Sequence, residues 1–250
     1  MNSNELTDRT FWLKYWESKK NLVFEIPPVY PFLPELTTLI KKCDVRTLLE
    51  IGGFPGYYSI WAQRLGIRAT LLDFVVHKPI MRELEKANHV PEGATNVIEA
   101  DIFALPPDPE YDLVMSNGLI EHFNDTEDII KRHIQFVKPG GTLFISLPNF
   151  RGLNGWFQKT FDAANYEKHN IGCMDPGYLR SICAKVGLQN VEARYSGYFM
   201  LWLENRDTQP FWVRTFLKLT WFPLKVFFKI FPFNTKPFSP YIVITATKPG

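Results

Sequence analysis

Four short segments of this 250-residue chain carry side chains whose type and spacing could do chemistry. In Glu50-Ile51-Gly52-Gly53-Phe54-Pro55-Gly56, the glycines Gly52 and Gly53 permit close backbone approach to a ligand, and Gly56 can open a helix. Asp73 follows Gly56 by 17 residues, where a carboxylate can accept both hydrogen bonds of a ribose diol. Asp101 can accept from an exocyclic purine amine while the Ile102 amide reaches a ring nitrogen. Residues 116–123, SNGLIEHF, form a polar loop containing Asn117 and His122. Each acid taken singly also fits a solvated loop or a helix cap; their order along the chain is what makes them informative.

Something must hold these loops, and the apolar pattern supplies it. Residues 45–51 are short, apolar and stop at Gly52-Gly53, which predicts a buried strand. Residues 68–73, 96–100, 111–116 and 142–147 read the same way, the last after a turn at Lys138-Pro139-Gly140-Gly141. Helical spacing occupies 56–66, 77–88 and 125–137, then 175–186; strands follow at 190–198 and 241–247. Strands separated by helices imply right-handed crossovers, so the expected fold is α/β: a Rossmann-like, mostly parallel sheet with helices on both faces. Such a sheet binds its ligand beyond the carboxyl ends of its strands, where the four segments fall. No repeat or low-complexity linker interrupts the chain, so 1–250 is expected to be one domain. Its parts are an N-terminal helical cap (1–44), a core (45–198), an aromatic, basic insertion (199–239) and a final strand (240–250).

Composition removes several classes. At 46% hydrophobic and 22% charged the chain can bury a core and is not disordered. The longest uncharged run is 13 residues, 51–63, short of the roughly 20 that span a bilayer. The start, MNSNELTDRT, has no basic-then-apolar pattern, so no secretory leader is expected and the expected location is cytoplasmic. Cys43, Cys173 and Cys183 form no CxxC pair, which argues against a disulfide framework or zinc site, and no metal is expected. Residues 1–207 hold 22 basic and 26 acidic side chains, whereas 208–250 hold six basic and none acidic. A net-acidic body fits nucleic acid poorly.

With those residues in view, the sequence resembles the class I S-adenosylmethionine-dependent methyltransferases. LLEIGGFPG, LLDF, EADIF, YDLVMSNGLIEHF and KPGGTLFISLPN occur in that order over residues 45–150. The resemblance implies a seven-stranded sheet whose last strand is antiparallel, and S-adenosyl-L-methionine as cofactor. It assigns Glu50, Gly52, Gly53 and Gly56 to the cofactor loop, Asp73 with Phe74 to the ribose, Asp101 with Ile102 to adenine, and Asn117 and His122 to the wall of the site. One position departs from it, since Phe54 stands where the family usually has the middle glycine of ExGxGxG. The rival, a nicotinamide-dinucleotide enzyme, needs G-x-G-x-x-G against a pyrophosphate, which Gly52-Gly53-Phe54-Pro55-Gly56 does not provide.

Residues 148–156, 166–170 and 174–179 look like the corresponding stretch of ubiquinone-biosynthesis O-methyltransferases, which implies a small or lipophilic acceptor methylated at oxygen. His169 is then the candidate base for an acceptor hydroxyl, or a structural cap. Phe11, Trp12, Tyr15 and Trp16 share one helix face and form either a lid over the acceptor or plain packing. In 211–233, Arg214, Lys218, Lys225 and Lys229 fall within an arc of about 60° at 100° per residue, with Pro223 expected to kink or split the helix. This suits peripheral contact with an anionic membrane, or helices packed on the core with snorkelling lysines. A different class of function remains open from sequence: a non-catalytic cofactor-binding or scaffold protein of the same fold, in which Phe54 has closed the pocket.

Overall fold

The computed structural model describes residues 4–197, 199–201, 203–204, 206–231 and 234–250, the side chains of 207, 221, 225 and 229 excepted. Seven strands form one sheet: β1 (Thr47–Ile51), β2 (Arg68–Asp73), β3 (Asn96–Glu99), β4 (Tyr111–Asn117), β5 (Val137–Pro148), β6 (Gln189–Ser196) and β7 (Tyr241–Thr247). Their order is β3-β2-β1-β4-β5-β7-β6. The pairs up to β5 are parallel, and β7 runs antiparallel to both β5 and β6. This is the expected Rossmann-like methyltransferase sheet.

Period-two alternation divides the strands between two cores. Leu49, Ile51, Val114, Ile145 and Ile244 face one side with Ile129 and Leu179, while Leu48, Leu113, Met115, Phe144 and Val243 face the other with Leu36, Ile60 and Leu84. Those helical residues belong to α5 (Thr126–Ile134) and α8 (Pro176–Lys185) on the first face. On the second they belong to α2 (Leu33–Cys43), α3 (Tyr57–Arg64) and α4 (Lys78–Ala87). Beyond the strands' carboxyl ends α1 (Arg9–Ser18) and α7 (Ala163–Tyr166) border a cavity through Trp12, Trp16 and Asn165, while α9 (Phe211–Ile230) packs on α6 (Leu153–Phe161) through Val213, Leu217 and Phe157.

Two expectations need correction. Lys138–Gly141 is not a free turn before the fifth strand: β5 begins at Val137, which pairs with Tyr111, and the ladder takes its irregularity there. Pro223 does not split its helix, because α9 is continuous for 20 residues. Pro223 is on an exposed position, and the Leu219 carbonyl that loses its partner belongs to a residue 69% exposed, so solvent can satisfy it. The expected end of the sixth strand, Tyr198, lies outside the described residues.

A buried histidine locks α5 onto β4 beneath the site. His133 Nδ1–H donates to the Ile129 carbonyl at 2.7 Å, leaving Nε2 to accept from the Ser116 hydroxyl at 2.9 Å. Burial lowers its pKa to about 4. A depressed folded-state pKa gives stability that is present above the unfolded value of about 6.5 and lost as pH falls toward 4. Full loss, reached only below pH 4, is worth about 3 kcal/mol. Thermal unfolding of the wild-type chain should therefore weaken more steeply between pH 6.5 and 4 than that of a His133→Gln variant; parallel pH dependences would show that His133 is not buried neutral.

Candidate active site

The direction of winding reverses between β1 and β4, and the sequence-predicted residues gather at the carboxyl ends on either side of that point. Gly52 follows β1 at φ +63°, and a Cβ there would lie 2.6 Å from Leu119. A Cβ on Gly53 would fall 2.3 Å from the Glu50 side chain, so only glycine fits that turn. Glu50 itself is buried and accepts from the Ser59 amide at 2.7 Å and the Ser59 hydroxyl at 2.6 Å, which fixes the start of α3. Burial nevertheless pushes its pKa up to about 7. Gly56, at φ +91°, is the N-cap of the same helix.

Phe54 does not close the site. It is absent from the positive-φ residues, so the loop here does not require the family's glycine at that position. Its ring packs with Leu71 and Met81 and meets Trp16 edge-on at 5.1 Å. Its amide donates to Asp73 Oδ2 at 2.8 Å, and the Val75 amide donates to Oδ1 at 2.9 Å. Asp73 is thus both a wall of the cavity and the clasp of the glycine loop. Burial raises its pKa to about 6 against the lowering effect of these amides.

Asp73 and Phe74, Asp101 and Ile102, Gly52, Leu119 and His122 border one open cavity of about 660 Å³, solvent at its mouth included. Asp101 takes the Phe103 amide at 2.9 Å on one oxygen. A second, larger cavity of about 1180 Å³ continues from it through Gly52, Gly118 and His122. It is bordered by Glu50, Gly53, Asn117, Glu121 and His169, with Tyr30, Lys168 and Glu204 beyond. Asn117 accepts from the Ser146 hydroxyl at 2.6 Å across β4 and β5.

The N-terminal segment closes both cavities on one side. Leu6 N–H donates to the His122 carbonyl, and Asn124 N–H to that of Asn4. Arg9 pairs with Glu99 at 2.8 Å. None of the α1 side chains is fully buried. Trp12 and Trp16 line both cavities, and Trp12 meets His122 edge-on at 5.1 Å. Trp16 also packs on the Phe54, Leu71 and Met81 cluster, so this helix face both borders the cavities and joins the core.

Sequence reasoning missed Glu121 as a site residue, although it named His122 beside it and His169. Glu121 is 1% exposed, its Oε2 has no hydrogen-bond partner, and burial raises its pKa to about 8. Beside it, the His122 and His169 rings stand 4.7 Å apart. His122 Nδ1–H donates to the Lys168 carbonyl at 3.1 Å and His169 Nδ1–H to the Asn165 carbonyl at 2.7 Å. A carbonyl only accepts, so each Nδ1 carries the proton and each Nε2 keeps a lone pair. Burial holds both imidazoles neutral, His122 down to about 3 and His169 below the usual histidine range. The only signal in the sequence was the adjacent Glu121-His122 pair; the approach of His169 from the loop after α7 is a tertiary fact.

Comparison with known proteins decides the family. The family model described as "Methyltransferase domain" matches residues 30–193, about two thirds of the chain. The chain belongs to the class I S-adenosylmethionine-dependent methyltransferases. The chain is 26% identical over 121 residues to a ubiquinone biosynthesis O-methyltransferase of Hydrogenovibrio crunogenus, covering 48% of this chain and 50% of the relative. It is 33% identical over 125 residues to a malonyl-[acyl-carrier protein] O-methyltransferase of Priestia megaterium, covering 50% and 43%. The chain thus spans about half the length of the curated relatives it matches. Its fold is that of a SAM-dependent methyltransferase from Archaeoglobus fulgidus, with TM-score 0.52, 19% identity and 86% and 94% of the two chains covered. It is also that of a Burkholderia thailandensis 1,6-didemethyltoxoflavin-N1-methyltransferase, with TM-score 0.56, 13% identity and 97% and 87% covered. The residues present fit S-adenosylmethionine: a glycine turn with no room for a Cβ and two carboxylates, Asp73 at the end of β2 and Asp101 just beyond β3, lining one cavity.

Proposed function

We propose that this methyltransferase transfers the methyl group of S-adenosylmethionine to an oxygen of a small or lipophilic acceptor. The observation that carries the reading is the continuity of the two cavities at Gly52, Gly118 and His122, which sets an acceptor beside the cofactor. When bound, S-adenosylmethionine supplies an electrophilic methyl whose carbon–sulfur bond breaks as the acceptor bonds to it. Asp73 holds the ribose, Asp101 and the Ile102 amide hold adenine, and Gly52 and Gly53 bring the backbone close to the methionine portion. Phe74, Asn117 and His122 complete the wall; Glu50 fixes the loop through Ser59. His169 offers the Nε2 lone pair to the acceptor hydroxyl and takes its proton. Trp12 and Trp16 exclude water, which in an in-line displacement leaves alignment and desolvation to supply most of the acceleration. The two O-methyltransferase relatives support oxygen as the acceptor atom. Incubation with S-adenosylmethionine carrying an isotopically labelled methyl and a panel of phenolic, carboxylic and amine acceptors should give label on a phenolic or carboxylic oxygen by mass spectrometry. Label on amines alone would overturn the O-methyl reading.

The second part of the proposal is a cytoplasmic enzyme held at an anionic bilayer by α9. No helix among the described residues is long and apolar enough to cross a membrane. Val213, Leu217 and Phe228 pack inward, whereas Phe211, Trp212, Phe216, Leu219, Phe222 and Ile230 are exposed beside exposed Arg214 and Lys218. The side chains of Lys225 and Lys229, and residues 232 and 233, lie outside the described residues. Each basic side chain near an anionic surface contributes roughly 1 kcal/mol. The enzyme should co-sediment with vesicles of phosphatidylcholine and phosphatidylserine at low salt, release at high salt, and bind less as Arg214→Gln, Lys218→Gln. Indifference to the vesicles would remove the membrane part and leave the transferase reading intact.

A further inference from the structure

Among the described residues one group of three metal-ligating side chains is gathered in one place: Glu121, His122 and His169, with one donor atom of each within 4.8 Å of the others. We infer that these three side chains bind a first-row divalent cation of the zinc class, which in turn holds the acceptor oxygen. The inference rests on the function proposed above and names how that site handles its acceptor. It departs from the expectation, drawn from the cysteines alone, that the chain has no metal site.

Three independent features support it. Glu121 Oε2 is buried and unpartnered, on a side chain bordering the acceptor cavity, and a partnerless carboxylate oxygen in that position calls for a cation or a donor. Both imidazoles donate Nδ1–H to backbone carbonyls, the arrangement that fixes the ring and aims Nε2 at a metal. The set is two nitrogens and one carboxylate oxygen, which suits zinc or its first-row neighbours better than magnesium or calcium, whose sites are built from oxygen. Three protein ligands leave a coordination position open, as in catalytic zinc sites. Cis ligands on a cation with bonds of about 2.1 Å stand roughly 3–3.5 Å apart, so binding draws these side chains together by about 1–2 Å through side-chain rotation.

A hydroxyl on the open position would lose its proton to water. The O–H bond breaks, the electron pair stays on oxygen, and the cation stabilises the resulting anion. In this loading His169 is a ligand, and its direct proton transfer is replaced by ionisation on the metal.

The test uses the full chain, stripped with a chelator and dialysed against zinc chloride, with bound metal counted by mass spectrometry. One zinc per chain is expected, with affinity at least about 100-fold weaker in Glu121→Gln and in His169→Asn. The surface variant His77→Ala, His89→Ala should retain it. Cobalt substitution should give visible absorption bands in the wild type that both site variants lack. Failure of the wild type to retain zinc, or equal retention in Glu121→Gln and His169→Asn, overturns the inference; if one site variant misfolds, the other decides. Titration of the same samples with S-adenosylhomocysteine separates the two claims. Cofactor binding without zinc binding sinks only the metal site, and absent cofactor binding sinks the proposed function on which it rests.

Discussion

Replacing Asp73 by alanine should weaken S-adenosylhomocysteine binding by about 10- to 150-fold, the equivalent of roughly 1.5–3 kcal/mol for hydrogen bonds to a charged acceptor. The expectation follows from a carboxylate at the end of β2 that borders the cofactor cavity. A ribose contact alone would leave the fold of such a variant unaffected. The structure changes that. Asp73 also accepts the amides of Phe54 and Val75, so alanine leaves two N–H groups without partners in the glycine loop. A loss of about 1–3 kcal/mol in urea unfolding should accompany the binding defect. Calorimetry on the folded fraction separates the two effects, and unchanged affinity in folded Asp73→Ala would mean that the ribose is held elsewhere.

His169→Ala should lower turnover by about 10²- to 10⁴-fold with S-adenosylhomocysteine affinity held within a few-fold. His169 borders the acceptor cavity and not the one beside Asp73 and Asp101. It also packs edge-on against Phe150 at 4.8 Å, so a modest fall in melting temperature is expected as well. Single-turnover kinetics with preloaded cofactor is the deciding measurement. Wild-type rates would leave His169 as a structural residue of the loop after α7.

The core strands and the cofactor loops were legible in the sequence because their signals are local. Residues 68–73 and 241–247 were read at their observed limits, and most others within two or three residues, since short apolar runs bounded by glycine, aspartate or proline leave little choice. Asp73, Asp101 and Gly52 converge because a parallel sheet places the ends of successive strands side by side. Less visible was anything set by contact between distant segments. Glu121 reads as an ordinary loop acid until its burial and unpartnered oxygen are seen. The placement of Trp12 beside the cavities depends on residues 4–6 pairing with 122–124, more than 100 positions away. Pro223 was misread because its cost depends on whether the orphaned carbonyl faces core or water, which the helix pattern alone does not say.

The central claim is that the carboxyl ends of β1 to β3 form a working S-adenosylmethionine site despite Phe54. Isothermal titration of the full chain with S-adenosylhomocysteine tests it most directly. The account predicts one-to-one binding at about micromolar to submillimolar concentration, the range in which enzymes hold their substrates, weakened in Asp73→Ala. No heat up to millimolar ligand with folded protein would contradict it.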